Sequence, residues 1–361
     1  MRAASRFRPL PLVAAAVLLF VGGSALLLAD IGRHDFLAFY AAARLVAQGQ
    51  GASIVDPAAI LAAEQAAEPR VATVLPWVHP PAVALLLAPL GALPFAFAGL
   101  AMVALDVACL VWAVYRMRTL AAPAQRVSLF AIALTAPPAI SSLQQGQTTP
   151  IVLALIAAAI ATRSEFRGGL ALGLTVIRPQ TALLFALAGL TSRRTAAGVA
   201  VGWGAVLAGS AFVVGPAGLL TYLNQLVAAG DWSISGEFGM RYAVGWTGTT
   251  FALGVPLLGF ALAIGSLAAG AVAVARAEGR ARIVNASAWC ILGSPHVGVS
   301  DALACYPAVG ERSARSVVAA FALVGTGYAV MALQLAGVPA APFWVLGLAL
   351  WPQRRIERPP I

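Results

Sequence analysis

Apolar residues fill this chain in long blocks, separated by short polar clusters that are rich in arginine. The first block, Pro9 to Ala29, follows Arg2, Arg6 and Arg8. At about twenty residues it suits a membrane-crossing helix, exceeds the apolar core of a secretory leader, and is followed by no small-x-small cleavage signal. It predicts a first helix with its amino terminus in the cytoplasm, because basic residues gather on that side. Further apolar blocks occupy residues 80–94, 96–115, 127–141, 149–162, 168–177, 180–191, 196–215, 247–275, 283–300, 302–309, 316–337 and 340–352. Arginine clusters at 116/118/126, 163/167, 193/194, 276/280/282, 312/315 and 354/355/358 mark cytoplasmic turns. The pattern predicts an all-α, polytopic integral membrane protein of about 10–12 transmembrane or re-entrant helices.

The longest polar stretch, Asp30 to Trp77, falls outside on this assignment. Within it Phe36, Phe39, Tyr40, Ala43 and Ala47 recur at helical spacing, which predicts an amphipathic helix over 36–48 lying on the outer membrane surface. A second short helix starts at Asp56, with Pro57 at its first position. Trp77 suits the aromatic belt at the membrane interface, and Pro80-Pro81 suits a helix start. Tyr222 to Thr250 forms a second outer loop with Asp231, Trp232, Glu237, Arg241 and Trp246.

Three places break simple alternation. Residues 168–191 begin and end beside cytoplasmic arginines, yet each half is too short to cross a bilayer core of about 30 Å. They predict a broken hairpin whose tip, Arg178-Pro179-Gln180, reaches into protein rather than lipid. The block 302–309 is also too short. Blocks 80–94 and 96–115 together spoil the parity, so either one of them is re-entrant or the Arg116 turn is external.

Composition narrows the class. Of 361 residues 61% are hydrophobic and 10% charged, with a mean hydropathy of +0.89. A soluble domain carries roughly 25% charged residues, so an ordinary soluble protein is excluded, and so is a disordered one. The net charge is +10, and every one of the 23 basic residues is arginine. Eighteen of these lie on predicted cytoplasmic turns or at the amino terminus, and four (Arg33, Arg44, Arg70, Arg241) lie outside. The positive balance is therefore a topology signal and points to no nucleic-acid partner. With no lysine, neither a phosphate-binding P-loop nor a Schiff-base lysine can exist. Cys109, Cys290 and Cys305 form no CxxC pair and read as small core residues.

Ionisable residues near membrane depth are few, so each can be weighed. Asp30, Arg33, His34 and Asp35 follow helix one directly. Asp30 and Asp35 read either as caps of the following helix or as a functional acid. His79 reads as an interfacial histidine or a site residue. Gln144-Gln145-Gly146-Gln147 is a polar knot between apolar blocks. Arg178, permanently charged in a helix break, needs an anionic partner, either an acid from elsewhere or a ligand phosphate. Ser294-Pro295-His296 and Asp301 interrupt another block at its outer end. Asp106, alone in an Ala/Leu/Val run, reads as a packed helix contact. The sequon Asn285-Ala286-Ser287 opens a span on the cytoplasmic side, which argues against glycosylation there. Asp35, His79, Arg178, Arg241, His296 and Asp301 fall at one predicted level near the outer boundary. Acids, histidines and arginines without metal-ligand spacing suit acid–base work on a phosphate-bearing substrate.

The segment His34-Asp35-Phe36-Leu37-Ala38-Phe39-Tyr40-Ala41-Ala42-Ala43, then Asp56-Pro57 and His79-Pro80-Pro81, resembles glycosyltransferase family 87 of the GT-C membrane enzymes. Gly146-Gln147, Arg178-Pro179-Gln180, and Ser294-Pro295-His296 with Asp301 follow in the family's order. His79 stands where the family more often has tyrosine, and Arg178 where it often has lysine. The resemblance implies transfer of a hexose, typically mannose, from a polyprenyl-phosphate sugar to a lipid or glycan acceptor, without a cofactor or a required metal. It places the catalytic acid on Asp35 as general base, with inversion at the anomeric carbon. It groups Arg178, Arg241, His296, Asp301, His79 and Gln147 around substrate and donor phosphate. The expected setting is a bacterial inner membrane, multi-pass, with the site facing the extracytoplasmic side. The chain reads as one membrane domain: residues 1–310, including outer loop 30–77, are catalytic, and 311–361 are C-terminal helices. A transporter or flippase for a lipid-linked sugar is the alternative, because such proteins place broken helices at their substrate sites. Against it stand the absence of an internal repeat and the long first outer loop.

Overall fold

The computed structural model describes residues 10–75, 77–120, 133–134, 136–235, 244–294 and 297–313, and, apart from 331, 334–335, 337 and 339, residues 325–351. Among them the regular structure is helical. Helix α1 (Leu10–Ala29) leads through a 3-10 turn (Ile31–Arg33) into α2 (Phe36–Ala47) and α3 (Pro57–Ala67). Helices α4 (Pro81–Gly91) and α5 (Phe95–Met117) follow, then α6 (Pro137–Gln145), α7 (Thr149–Ala161), α8 (Glu165–Leu174) and α9 (Pro179–Gly189). The long α10 (Arg193–Ser235) bends at Gly215, where φ is 71° and Pro216 follows. The chain continues through α11 (Trp246–Ala252), α12 (Pro256–Arg276), α13 (Arg280–Trp289), a 3-10 segment (Val299–Cys305), α14 (Tyr306–Ser313) and α15 (Ala341–Leu350).

Three of these helices are long and apolar enough to cross a membrane: α5, residues Arg193–Leu226 of α10, and α12. Many others are too short to cross one alone. Helix α4 has 11 residues, about 16 Å of helix, roughly half a bilayer core. Helices α1 and α5 are packed neighbours.

Several expectations change. Helix α2 forms where predicted but does not lie on a membrane surface. Phe36, Leu37, Phe39, Tyr40, Ala41, Ala42, Ala43 and Leu45 are all buried, because α4 covers the face that was to meet lipid. The small Ala41-Ala42-Ala43 run admits α4 to backbone contact. A Cβ on Gly91 would stand 2.5 Å from the Ala43 carbonyl oxygen. Phe36 stacks on Phe95 at 5.8 Å and the Tyr40 hydroxyl donates to the Leu93 carbonyl at 2.9 Å. Trp77 is buried too, edge-on to Phe39 at 5.7 Å, so it is not a belt residue.

The apolar block 247–275 is two helices, broken at Gly254 (φ 74°) before Pro256. The block 283–300 stops being helical after Trp289, and Pro295, which disfavours helix in the residue before it, follows closely. Asn285 is mostly buried and donates through Nδ2 to the Ala273 carbonyl at 2.9 Å, clamping α13 to α12.

Asp56 caps α3 as predicted, accepting from the Ala58 amide at 2.9 Å. Glu64, on the same helix, is fully buried and both its oxygens accept from the Leu75 amide at 3.2 Å. Burial raises its carboxyl from 4.5 to about 7. The folded chain therefore holds this proton where the unfolded chain releases it, and stability falls as pH rises from 4.5 to about 7, levelling off above. Glu64→Gln, which keeps the acceptor without the charge, should remove that slope. It should raise stability above pH 7 by about 1–2 kcal/mol, read as melting temperature across pH 4–8. Parallel curves for variant and wild type would refute this role of Glu64.

Candidate active site

Four polar side chains from separate parts of the chain meet at the start of α2. Asp35 opens α2. It occupies the N-cap position but makes no side-chain cap bond, so the simple capping explanation of this acid does not hold. Its backbone amide donates to Gln145 Oε1 at 3.2 Å, and its Oδ2 accepts from Gln147 Nε2. No described residue donates to Oδ1, and the residue is half-buried. Burial pushes the Asp35 carboxyl up, with the Arg178 charge opposing it and the Asp301 charge adding to it. Next to it, burial lowers the His34 imidazole, favouring the neutral ring.

Gln147 is delivered by a helix stop. Helix α6 ends on Gly146, whose φ of 60° is the left-handed conformation that glycine adopts at low cost. The Gln147 amide closes back on the Ser142 carbonyl at 3.0 Å. Gly146 also sits tight against α2, since a Cβ there would lie 2.8 Å from Phe36 Cβ. The polar knot of the sequence is thus the joint that holds α6 against the start of α2.

Arg178 comes from the predicted break. Pro179 steers the residue before it out of helical conformation, and Arg178 has φ −123° and ψ 83° between a 3-10 turn and α9. The residue is 4% exposed. Nη1 donates to Gln147 Oε1 at 2.6 Å and to Thr148 Oγ1 at 3.3 Å, and Nη2 pairs with Asp301 Oδ1 at 2.7 Å. Asp301, 2% exposed, accepts from the Gly298 amide through Oδ2 at 2.9 Å. Of the two partners the sequence left open for Arg178, the chain supplies an acid of its own.

Asp35, Gln147, Arg178 and Asp301 are therefore one contiguous network. His79 is buried against Phe39, ring centroids 4.7 Å apart, one turn along α2 from Asp35. Arg241 and His296 lie outside the described residues. Gln145, within the polar knot, and Thr148, directly after it, join the network without having been named as site residues. Asp106 is fully buried on α5, and neither oxygen has a hydrogen-bond partner among the described residues. Among the described residues no three His, Cys, Asp or Glu side chains converge as metal ligands.

The arrangement offers a carboxylate with one oxygen held and no described donor on the other, within a network that includes a buried guanidinium. That is the equipment of a general base. No curated protein and no solved structure matches the chain significantly. The profile of glycosyltransferase family 87 matches residues 77–295, which include α4 to α13 and carry Gln147 and Arg178 of the network. More than half of the chain is matched, so it belongs to glycosyltransferase family 87 and is a membrane glycosyltransferase.

Proposed function

We propose that this glycosyltransferase moves a hexose, mannose by its family resemblance, from a polyprenyl-phosphate donor to a hydroxyl of a lipid or glycan acceptor. The reaction takes place on the extracytoplasmic side of a bacterial inner membrane. The acceptor O–H gives its proton to Asp35 while the oxygen attacks the anomeric carbon from the face opposite the phosphate. The C1–O bond breaks, its electron pair leaves with polyprenyl phosphate, and the anomeric centre inverts. Arg241 and His296 counter the phosphate charge, and His79 lines the approach to Asp35. Because Arg178 is already matched by Asp301, its part is electrostatic support of Asp35 rather than a direct hold on the donor.

The observation that carries this reading is the carboxylate of Asp35, turned away from its capping position and bound by one oxygen to a buried charged network. The charged break, which resembles a transporter's binding site in sequence, is closed by an ion pair within the chain. The test supplies membranes with labelled polyprenyl-phosphate mannose and compares wild type with Asp35→Asn. Transfer should fall at least about a hundredfold, the usual worth of a general base. Undiminished transfer by the variant would remove Asp35 from the chemistry.

A further inference from the structure

Resting on the reading of Asp35 as base, we infer that Arg178 is a positioning residue. Held by Asp301, it fixes the end-for-end orientation of the Gln147 amide, and through it the oxygen that Asp35 presents to the acceptor.

A glutamine amide has two ends of nearly equal shape and opposite hydrogen-bonding character, and taken alone Gln147 could offer Asp35 either one. Guanidinium can only donate, so the contact from Arg178 Nη1 at 2.6 Å requires Oε1 on that side. Nε2 must then face Asp35, where it donates to Oδ2. Arg178 is itself fixed as a fork, with Nη2 on Asp301 Oδ1 at 2.7 Å and Nη1 also near Thr148 Oγ1 at 3.3 Å. The far end is anchored by the Gly298 amide on Asp301 Oδ2 at 2.9 Å. Each link has only one workable polarity, so the orientation is imposed from Gly298 through to Asp35. The main chain of Asp35 is held separately by Gln145. Oδ1 is thereby left without a described donor, available to take a proton. At 4% exposure Arg178 is poorly placed to touch substrate, which favours action through Gln147.

The charges acting on Asp35 are Arg178, which favours its ionised form, and Asp301, which opposes it. His34 turns instead toward the Leu26 carbonyl and Gln145. The Gln147 bond also favours the ionised carboxylate, so its loss should move the acid limb of the rate profile to higher pH.

The experiment measures transfer from labelled polyprenyl-phosphate mannose, in membranes from pH 5 to 9, by wild type, Asp35→Asn, Gln147→Glu, Gln147→Met and Arg178→Lys. Both Gln147 variants should lose about 10- to 100-fold in kcat, with donor KM within about twofold, and Gln147→Met should carry the shifted acid limb. Arg178→Lys keeps the charge opposite Asp301 but not the fork, so it should fold and fall between wild type and the Gln147 variants. Wild-type kcat in the Gln147 variants, a loss confined to KM, or an unmoved acid limb would overturn the positioning role while leaving Asp35 as base. Full activity of Asp35→Asn, or no transfer by the wild type, would remove the underlying reading and this inference with it.

Discussion

Asp301→Ala should destabilise the protein by about 3–5 kcal/mol, the usual cost of removing one partner from a buried ion pair. Arg178 and Asp301 are 4% and 2% exposed, so after truncation the guanidinium keeps its charge and finds no water to replace the lost carboxylate. Gln147 Oε1 and Thr148 Oγ1 still accept from Nη1, but neither carries a negative charge. The Gly298 amide loses its acceptor as well. The cost belongs to the uncompensated charge rather than to the pair's net contribution, and this gives the test its sharper form. The double variant Arg178→Met with Asp301→Leu removes both charges, and should be more stable than Asp301→Ala alone. Because the pair is buried, salt should change the loss little. Thermal unfolding in detergent at low and high salt measures all three proteins. A loss under about 1 kcal/mol for Asp301→Ala, or a double variant worse than the single, would show that the pair is not what holds the α8–α9 break in place.

That break is also where the sequence was most informative. Proline marks helix starts along the chain: Pro57, Pro81, Pro137, Pro150, Pro179, Pro256 and Pro342 all stand in the first turn of a helix. Arg178 before Pro179 could be placed in a break and inside protein because a guanidinium in lipid is too costly. Which acid it meets could not be read, since Asp301 is remote in sequence and no periodicity links the two. Asp35 was legible as a candidate but not in its orientation. Capping is the local default for an acid before a helix, and only Gln147, arriving from α6, draws the carboxylate elsewhere. The surface placement of α2 failed for a related reason. Helical spacing shows that one face is apolar, and says nothing of whether lipid or another helix such as α4 covers it. Trp77 fell to the same ambiguity. Apolar blocks hid the break at Gly254 because hydropathy registers burial, and a turn buried among helices can be as apolar as the helices themselves.

The other large effect is expected where α8 crosses α10. Gly169 and Gly173 stand four residues apart on α8, and Gly198 and Gly202 stand four apart on α10. Each pair faces the other helix's backbone. A Cβ on Gly173 would lie 2.5 Å from the Val199 carbonyl oxygen, and one on Gly198 would lie 2.6 Å from the Leu170 amide nitrogen. Those on Gly169 and Gly202 would lie 2.8 Å from the Thr195 and Gly173 carbonyl carbons. Between helices in a membrane there is little hydrophobic drive, so close backbone packing of this kind supplies much of the association. These neighbours are main-chain atoms and cannot turn aside as a side chain can. Gly169→Val and Gly198→Val should therefore cost about 3 kcal/mol or more by overpacking and greatly reduce the yield of folded protein. Gly204→Ala on the same α10, with nothing within 4 Å of its Cβ position, should be neutral or stabilise by up to about 1 kcal/mol, as alanine does in a helix. The damage should reach the site, because α8 runs directly into the turn that carries Arg178. Gly198→Ala is the milder probe. If it folds, it should lose transfer activity more steeply than melting temperature, since separating α8 from α10 moves the guanidinium off Gln147 and Asp301. Melting temperature and yield in detergent, read beside transfer in membranes, decide the matter. A Gly198→Val protein as stable as Gly204→Ala would mean that the two helices are not held in contact through these glycines.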